Sequence, residues 1–174
     1  MKIHREVVRC LVKGGVGVIP TDTIYGLVGS AFSPEAVERM YRLRKREAKK
    51  PFIVLIASPR DVKKFGVKPS LQAEDFFKKI WPGPVSVILP CSGKRFRYLH
   101  RGGETLAFRV PEPRWLRALV AKSGPLVAPS ANPAGKKPAA TVRAAYGYFK
   151  GNVDFYVDGG RIAGVPSTLI KILR

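Results

Sequence analysis

Acidic residues are scarce in this chain of 174 residues. Twelve Asp and Glu stand against 32 Lys and Arg, which gives a formal net charge of +20 at pH 7. Such a surplus predicts attraction to polyanions such as nucleic acids, nucleotides or anionic lipid. Simple solubility or adaptation to heat would be the alternative, but thermophilic surfaces usually add Glu together with Lys. We therefore expect a substrate or partner that carries phosphate.

Cysteine and long hydrophobic runs are also rare. Two cysteines, Cys10 and Cys91, do not make a disulfide framework, and neither lies in a CxxC metal motif. The longest apolar run, residues 52–57, is far shorter than the roughly 20 residues that span a membrane. Charged residues follow Met1 where a signal peptide would be apolar. These absences predict a soluble, cytoplasmic protein that does not associate with membranes.

Familiar catalytic signatures are missing as well. The chain has neither a GxxxxGK[ST] phosphate loop nor a GxGxxG turn. It shows no metal-ligand cluster and no Ser-His-Asp signature, and its two histidines, His4 and His100, lie in unrelated settings. An ATP site in this protein must therefore be assembled from other segments, with no metal ligands from the protein.

Helical and strand patterns alternate along the chain without a linker. This order predicts one α/β domain over residues 1–174, built on a twisted, mixed open sheet with flanking helices. Ser33, Pro34 and Glu35 supply a cap, a first-turn proline and an early acid. Residues 90–104 are predicted to form a basic loop. Helices are predicted over 3–13, from 34, from 58, over 70–80, over 113–122 and from 141, and strands over 16–19, 52–57, 85–89, 106–110, 126–128, 153–157 and 168–173.

Polar side chains follow two of the predicted strands. Thr21, Asp22 and Thr23 come directly after the strand at 16–19, and ligands bind at strand ends in open α/β sheets. Ser130 and Asn132 follow the strand at 126–128, and residues i and i+2 of an extended segment point the same way. Ordinary turns would use the same residue types, so both segments fit either a ligand site or a plain turn.

Positive charge concentrates in two further places. Residues 42–51 hold six bases and one acid just before a buried strand, and arginine forks suit phosphate oxygens. A solvated charge run, or cations placed at a helix C-terminus, would look similar. Arg109 lies inside an otherwise apolar strand, where a charge must be paired or face a cleft. A structural salt bridge is the alternative for Arg109.

These segments occur in the order of a known family. The motifs are PTDTIYGL at 20–27, RxR at 44–46 with KP at 50–51, WPGPVSVILP at 81–90, TLAFRVP at 105–111, APSAN at 128–132 and VDGG…PST at 157–168. Together they cover nearly the whole chain, which resembles the YrdC-type threonylcarbamoyl-AMP synthases. That resemblance implies an α/β sheet curved around a basic cavity. It also implies an enzyme, a nucleotidyltransferase that joins L-threonine, bicarbonate and ATP into threonylcarbamoyl-AMP and pyrophosphate.

The resemblance also implies that ATP is a substrate and that Mg²⁺ is required with it. It further implies roles for individual residues. Arg44, Arg46 and Lys50 are expected to be catalytic. Arg44 replaces the family's usual Lys, Leu55 stands where many members have His, and Pro138 where relatives place a small hydroxyl. Arg174 is the candidate for a C-terminal arginine that reaches ATP in the family. The expected ATP-binding residues are Arg46, Lys50, Thr105, Ser130 and Asn132, and the expected threonine-binding residues are Thr23, Arg109, Ala128 and Ser167.

The family's product passes to a threonylcarbamoyl-transferase partner that modifies adenosine 37 of tRNA, so tRNA or double-stranded RNA is an expected partner. An alternative reading is an RNA-binding protein of the same fold with little or no catalysis. The basic segment 91–103 supports this alternative because Phe96 and Tyr98 are interleaved with bases, and aromatic rings can stack on nucleobases. A mobile, solvated loop would have the same composition.

Overall fold

The computed structural model describes residues 4–47 and 49–172. Its eight strands form one sheet with six α-helices around it, joined by short 3₁₀ helices such as Pro59–Phe65. Among the described residues, none of the helices combines the length and the hydrophobicity needed to cross a membrane. The strands are β1 (Val16–Ile19), β2 (Gly26–Ser30), β3 (Ile53–Leu55), β4 (Val85–Pro90), β5 (Thr105–Arg109), β6 (Leu126–Val127), β7 (Phe155–Tyr156) and β8 (Thr168–Lys171), and the helices are α1 (Arg5–Val12), α2 (Pro34–Arg44), α3 (Leu71–Ile80), α4 (Arg97–His100), α5 (Arg114–Ser123) and α6 (Val142–Phe149).

The sheet is open and mixed, with the strand order β7-β1-β2-β6-β3-β5-β4-β8. Strand β1 runs parallel to β7, β3 to β5, and β4 to β8, whereas the other neighbours are antiparallel. Both edges of the sheet are therefore parallel pairs, and the interior is antiparallel except for the parallel pair of β3 and β5. The predicted fold class, a mixed open α/β sheet with flanking helices, is confirmed.

Apolar side chains cover both faces of this sheet. The larger cluster packs α2, α3, α4 and α6 against one face through residues such as Met40, Phe77 and Phe149. The smaller cluster packs α1 and α5 against the other face through Leu11 and Leu116. The fully apolar β3, buried between the two layers, follows from this arrangement.

Local sequence signals place α2 and α3 correctly. The Ser33 hydroxyl accepts a hydrogen bond from the Ala36 amide at 3.1 Å, and Pro34 occupies the first helical position. Helix α2 ends where Lys45 adopts a left-handed conformation with φ of 49°. This turn redirects the chain directly after Arg44 and brings the basic segment to the sheet.

The structure differs from the predicted elements in two places. Strand β2 is absent from the predicted strands, because the polar residues that follow the strand at 16–19 are predicted to form a ligand site or a plain turn. Residues 90–104 are not a loop, since they contain a 3₁₀ helix at Lys94–Phe96 followed by α4. Phe96 and Leu99, three residues apart, are both buried in the larger cluster and anchor this segment. The predicted boundaries at residues 3 and 173 lie outside the described residues.

Candidate functional site

A cavity of about 170 Å³ opens where β1 and β6 end and β2 and β3 begin. An isolated antiparallel bridge joins Gly26 and Ser130, which both line it. Three arginines and several hydroxyls meet in it although they are far apart in sequence. The lining residues are Thr21, Thr23, Ile24, Gly26, Arg44, Arg46, Pro51, Phe52, Ile53, Arg109, Ala128, Pro129, Ser130, Pro166 and Ser167.

The turn after β1 fixes the hydroxyl of Thr23 at the cavity wall. Thr21 Oγ1 donates to the Ile24 carbonyl at 2.6 Å and accepts from the amides of Thr23 and Ile24 at 3.1 and 3.2 Å. Because the Thr21 proton is used there, the 3.0 Å contact between the two hydroxyls needs Thr23 as donor. Thr23 Oγ1 is thus left as an acceptor, and it accepts from Arg109 Nη1 at 3.4 Å.

Arg44, at the end of α2, is a buried cation without a carboxylate. Its Nε donates to the Asn132 carbonyl at 2.8 Å and its Nη2 to Ser130 Oγ at 3.0 Å. None of the ion pairs formed by the described residues includes it. Burial first, and then the charge of Arg46, lowers the pKa of Arg44 to about 10, so the guanidinium is charged at pH 7. A buried charge left unpaired is costly, and an incoming anion would compensate it.

Arg109, at the end of β5, is paired with a carboxylate and also lines the cavity. Its Nη1 lies 3.1 Å from Asp22 Oδ1, and both side chains are only 5% exposed. Its Nε is buried without a hydrogen-bond partner. Burial lowers the pKa of Arg109, while the Asp22 charge opposes that change. The salt bridge and the cleft-facing charge considered for Arg109 are therefore both present.

Arg46 lines the cavity beside the ring of Phe52. Its guanidinium carbon lies 5.6 Å from the ring centre, within the range of a cation–π contact. Its Nε donates to the Lys50 carbonyl at 3.3 Å. Arg44 and Arg46 thus present two cationic groups to one wall of the cavity.

Three predicted ATP residues do not line the cavity. The Lys50 side chain is 61% exposed and pairs with Glu47 at 3.0 Å. Thr105 lies at the start of β5. Asn132 is buried, and its Nδ2 donates to the carbonyls of Pro133 and Lys136 at 2.9 and 2.6 Å. Asn132 therefore supports the loop under Arg44, and direct ATP contacts by these three residues stay predictions.

The threonine-site residues predicted from the resemblance all reach the cavity. Thr23, Arg109, Ala128 and Ser167 line it together with Ser130. Ser167 Oγ lies 2.9 Å from Ser86 Oγ, and Ser86 is completely buried in β4. The predicted role of Arg174 falls outside the described residues.

Sequence reasoning missed three contributors to the site. Asp22 was noted only as part of a polar segment, not as the partner of Arg109. Phe52 was counted as a core residue, and Ser86 was not considered. An aromatic residue next to the basic segment and a serine inside an apolar strand are the sequence signals that point to Phe52 and Ser86.

The loop between β7 and β8 forms the outer wall of the cavity. The Tyr25 hydroxyl donates to the Gly160 carbonyl at 2.7 Å and accepts from the Gly159 amide at 2.9 Å. Gly164 packs so closely that a Cβ there would lie 1.8 Å from the Thr23 carbonyl oxygen. This contact places Pro166 and Ser167 at the cavity mouth.

The segment 91–103 does not offer free aromatic rings. Phe96 is 5% exposed, and Arg95 already lies over its ring at 5.4 Å. The Tyr98 hydroxyl donates to the Ala31 carbonyl at 2.7 Å, which holds that half-buried side chain against the neighbouring chain segment. The stacking surface for nucleobases expected in this segment is therefore not formed, because both rings pack against the larger apolar cluster.

A metal ion has no obvious protein ligands in this site. No group of three His, Cys, Asp or Glu side chains within residues 4–47 and 49–172 is placed to hold one. Asp22, next to the lining residues Thr21 and Thr23, is paired with Arg109.

The family model Sua5/YciO/YrdC, described as telomere recombination, matches residues 9–174. The chain is 33% identical over 162 residues to the threonylcarbamoyl-AMP synthase of Pyrococcus abyssi, covering 92% of this chain and 48% of that protein. It is 35% identical over 167 residues to the threonylcarbamoyl-AMP synthase of Marinobacter nauticus, covering 92% of this chain and 86% of that protein.

A solved structure gives the same picture. The crystal structure of P. abyssi Sua5 complexed with L-threonine matches with a TM-score of 0.90 and 32% identity, over 97% of this chain and 50% of that chain. This chain thus spans about half the length of the Pyrococcus protein.

Proposed function

Because this chain belongs to the Sua5/YciO/YrdC family, we propose that it is a threonylcarbamoyl-AMP synthase. The proposed reaction joins L-threonine, bicarbonate and ATP into threonylcarbamoyl-AMP and pyrophosphate. One observation supports it most: buried Arg44, without a carboxylate partner among the described ion pairs, shares a cavity with Arg46 and with Arg109. Such a cavity is suited to hold a polyphosphate beside a carboxylate.

The phosphate end of the substrate would lie against Arg44, Arg46 and Ser130. Bicarbonate carboxylates the threonine amine to a carbamate and loses one water, and a carbamate oxygen then attacks the α-phosphorus while pyrophosphate leaves. Negative charge grows on the phosphate oxygens in that step, and cations already held in place stabilise it without reorganising. Mg²⁺ bound to the triphosphate would supply further neutralisation of the same oxygens.

The amino-acid end would lie against Arg109, Thr23, Ala128 and Ser167. The unpaired Nε of Arg109 suits a carboxylate, and Thr23 Oγ1 is available to accept from an ammonium or hydroxyl group. The P. abyssi protein that matches this fold was crystallised with L-threonine. The site needs no protein nucleophile, because holding both reactants in line supplies much of the acceleration.

Lys50, Thr105 and Asn132 take different parts in this proposal. Lys50 is exposed, so it would have to leave Glu47 to reach the triphosphate. Thr105 would contact a nucleotide that extends beyond the cavity along β5. Asn132 acts on the reaction through Arg44, whose Nε it holds with its carbonyl oxygen.

The product would pass to a threonylcarbamoyl-transferase partner that modifies adenosine 37 of tRNA, and we place the protein in the cytoplasm for that reason. The net charge of +20 supports contact with RNA during this transfer. A purely RNA-binding role is not favoured, because packing occupies the rings of Phe96 and Tyr98.

The direct test is pyrophosphate release from ATP, measured with L-threonine and bicarbonate present together or omitted singly. Release that needs all three reactants is expected. Arg46→Ala and Ser130→Ala should abolish it, whereas Arg42→Ala, at an exposed position on α2, should retain it. Full turnover by the first two variants would contradict the site assignment. Salt-sensitive RNA binding without any pyrophosphate release would favour the RNA-binding alternative.

A further inference from the structure

A stack of cations and aromatic rings runs from the segment after α4 to the cavity. The guanidinium carbon of Arg101 lies 4.0 Å from the ring centre of Tyr41. The Tyr41 ring stacks on Phe52, with ring centres 4.0 Å apart and planes inclined by 20°. Arg44 and Arg46 lie over the Phe52 ring at 5.9 and 5.6 Å. Arg101 is the outer end of this stack, and Arg46 is its end at the cavity.

The distances fix the order of the layers. Arg101 and Phe52 each approach the Tyr41 ring to 4.0 Å, so they must occupy its opposite faces. Tyr41 in turn covers one face of Phe52 and leaves the other for the two arginines. Each ring therefore packs against the other ring on one face and against a guanidinium group on the opposite face. The negative face of an aromatic ring attracts a cation in this position.

The outer end of the stack is itself anchored. Arg101 Nη1 pairs with Glu38 on α2 at 2.7 Å, and the Arg101 side chain is 14% exposed. Burial raises the pKa of the Tyr41 hydroxyl, and Arg101 acts against that change. The phenol thus stays neutral at pH 7 and keeps its proton for donation.

Tyr41 also holds the chain segment that carries Arg46. Its carbonyl accepts from the Arg46 amide at 3.3 Å, and its hydroxyl donates to the Lys50 carbonyl at 2.9 Å. The same Lys50 carbonyl accepts from Arg46 Nε at 3.3 Å. Backbone, side chain and ring of Tyr41 therefore all act on the position of one guanidinium.

We propose that Tyr41 and Phe52 are positioning residues that set the Arg46 guanidinium for the triphosphate, with Arg101 bracing the outer face of Tyr41. This role deepens the proposed function and rests on it. Neither Tyr41 nor Arg101 lines the cavity, so their effect reaches the substrate through Arg46. A core role alone would need only apolar volume at position 52, whereas this role needs the flat face of a ring.

The first measurement is independent of turnover. In NMR spectra of the arginine Nε–H groups, Arg46 and Arg101 should show ring-current shifts in the wild type. Phe52→Leu, which keeps apolar volume, should remove the Arg46 shift, and Arg95→Met should leave it in place. An unshifted Arg46 signal in the wild type, or a shift that survives Phe52→Leu, would overturn the stack even if the enzyme is active.

The second measurement separates positioning from folding. Phe52→Leu and Arg101→Met should raise the KM for ATP about tenfold, while the KM for threonine changes less than about twofold. Tyr41→Phe keeps the ring and loses only the hydrogen bond to Lys50. Its KM for ATP should therefore lie between those of the wild type and of Tyr41→Leu. Equal changes in both KM values, or Tyr41→Phe as impaired as Tyr41→Leu, would contradict the positioning role. Absence of turnover in the wild type would refute the proposed function but leave the NMR result standing.

Discussion

At the scale of single residues, Arg44 shows most clearly how function and stability oppose each other. Removing a buried cation spares its desolvation, although Arg44→Met leaves the Asn132 carbonyl and Ser130 Oγ without their donor. We expect the free energy of unfolding to change by less than about 2 kcal/mol. The affinity for ATP should fall about a hundredfold, since a charge-assisted phosphate contact is lost.

Equilibrium ATP binding and urea unfolding check this prediction together, with Arg42→Met as the exposed control on the same helix. A large loss of stability with normal ATP affinity would show that Arg44 is a structural cation.

The pair of Asp22 and Arg109 carries a second prediction at this scale. Both side chains are buried, so Asp22→Asn leaves the Arg109 charge without its partner. The free energy of unfolding should fall by about 3 kcal/mol, and Asp22→Asn combined with Arg109→Met should recover part of that loss. Urea unfolding of the two single variants and the double variant measures the coupling. Simple additivity of the two single effects would show that the pair contributes nothing to the fold.

At the scale of elements, the loop between β7 and β8 depends on one glycine. A Cβ at position 164 would lie 1.8 Å from the Thr23 carbonyl oxygen, which is backbone and has little freedom to move. Gly164→Ala should therefore shift the loop, carry Ser167 away from the cavity and raise the KM for threonine at least about tenfold. Gly147→Ala on α6, where a Cβ meets nothing within 4 Å, is the matched control. An unchanged KM in Gly164→Ala would mean that this loop does not shape the threonine site.

The elements that could be predicted are those with local signals. The cap at Ser33 and the apolar run at 52–57 gave α2 and a buried strand from sequence alone. Strand β2 was missed because Gly26 and Gly29 weaken the strand pattern, and its pairing with β6 is set nearly a hundred residues away. The predicted loop at 90–104 contains helical residues 94–100, because the many bases of this segment outnumber Phe96 and Leu99, whose spacing is helical.

The candidate site also has a part that could be predicted from the sequence and a part that could not. Arg44, Arg46, Ser130 and Thr23 stand in motifs that could be compared with a family, and the cavity brings them together. The pairing of Asp22 with Arg109 joins segments 87 positions apart, so no local sequence pattern predicts it. The exposed position of Lys50 depends on its pairing with Glu47, which motif order does not reveal.

At the scale of the whole molecule, we propose one domain, because both apolar clusters share the same sheet. The basic side chains at the end of α2 and just after it line two separate surfaces. Arg44 and Arg46 face the cavity, whereas Arg42 and Lys45 line a separate surface groove with Tyr148. Neither Arg42 nor Lys45 belongs to an ion pair among the described residues, so this groove is available to a polyanion.

We propose that RNA binds in this groove, and binding of this kind depends on salt. Affinity for tRNA or double-stranded RNA should fall at least about tenfold between 50 and 200 mM salt. Arg42→Glu combined with Lys45→Glu should weaken binding and flatten that salt dependence while pyrophosphate release is retained. Filter binding across a salt series gives both quantities. An affinity that does not change with salt would contradict a polyanion partner. An unchanged salt dependence of the affinity in the variant would show that RNA binds elsewhere on the surface.

The proposal as a whole depends on two reactants meeting in one cavity, and a crystal structure with L-threonine and a non-hydrolysable ATP analogue tests this most directly. The threonine carboxylate should lie within hydrogen-bond distance of Arg109, and the phosphates should contact Arg44, Arg46 and Ser130. Either ligand bound outside this cavity, or phosphates that contact none of these three residues, would contradict the account.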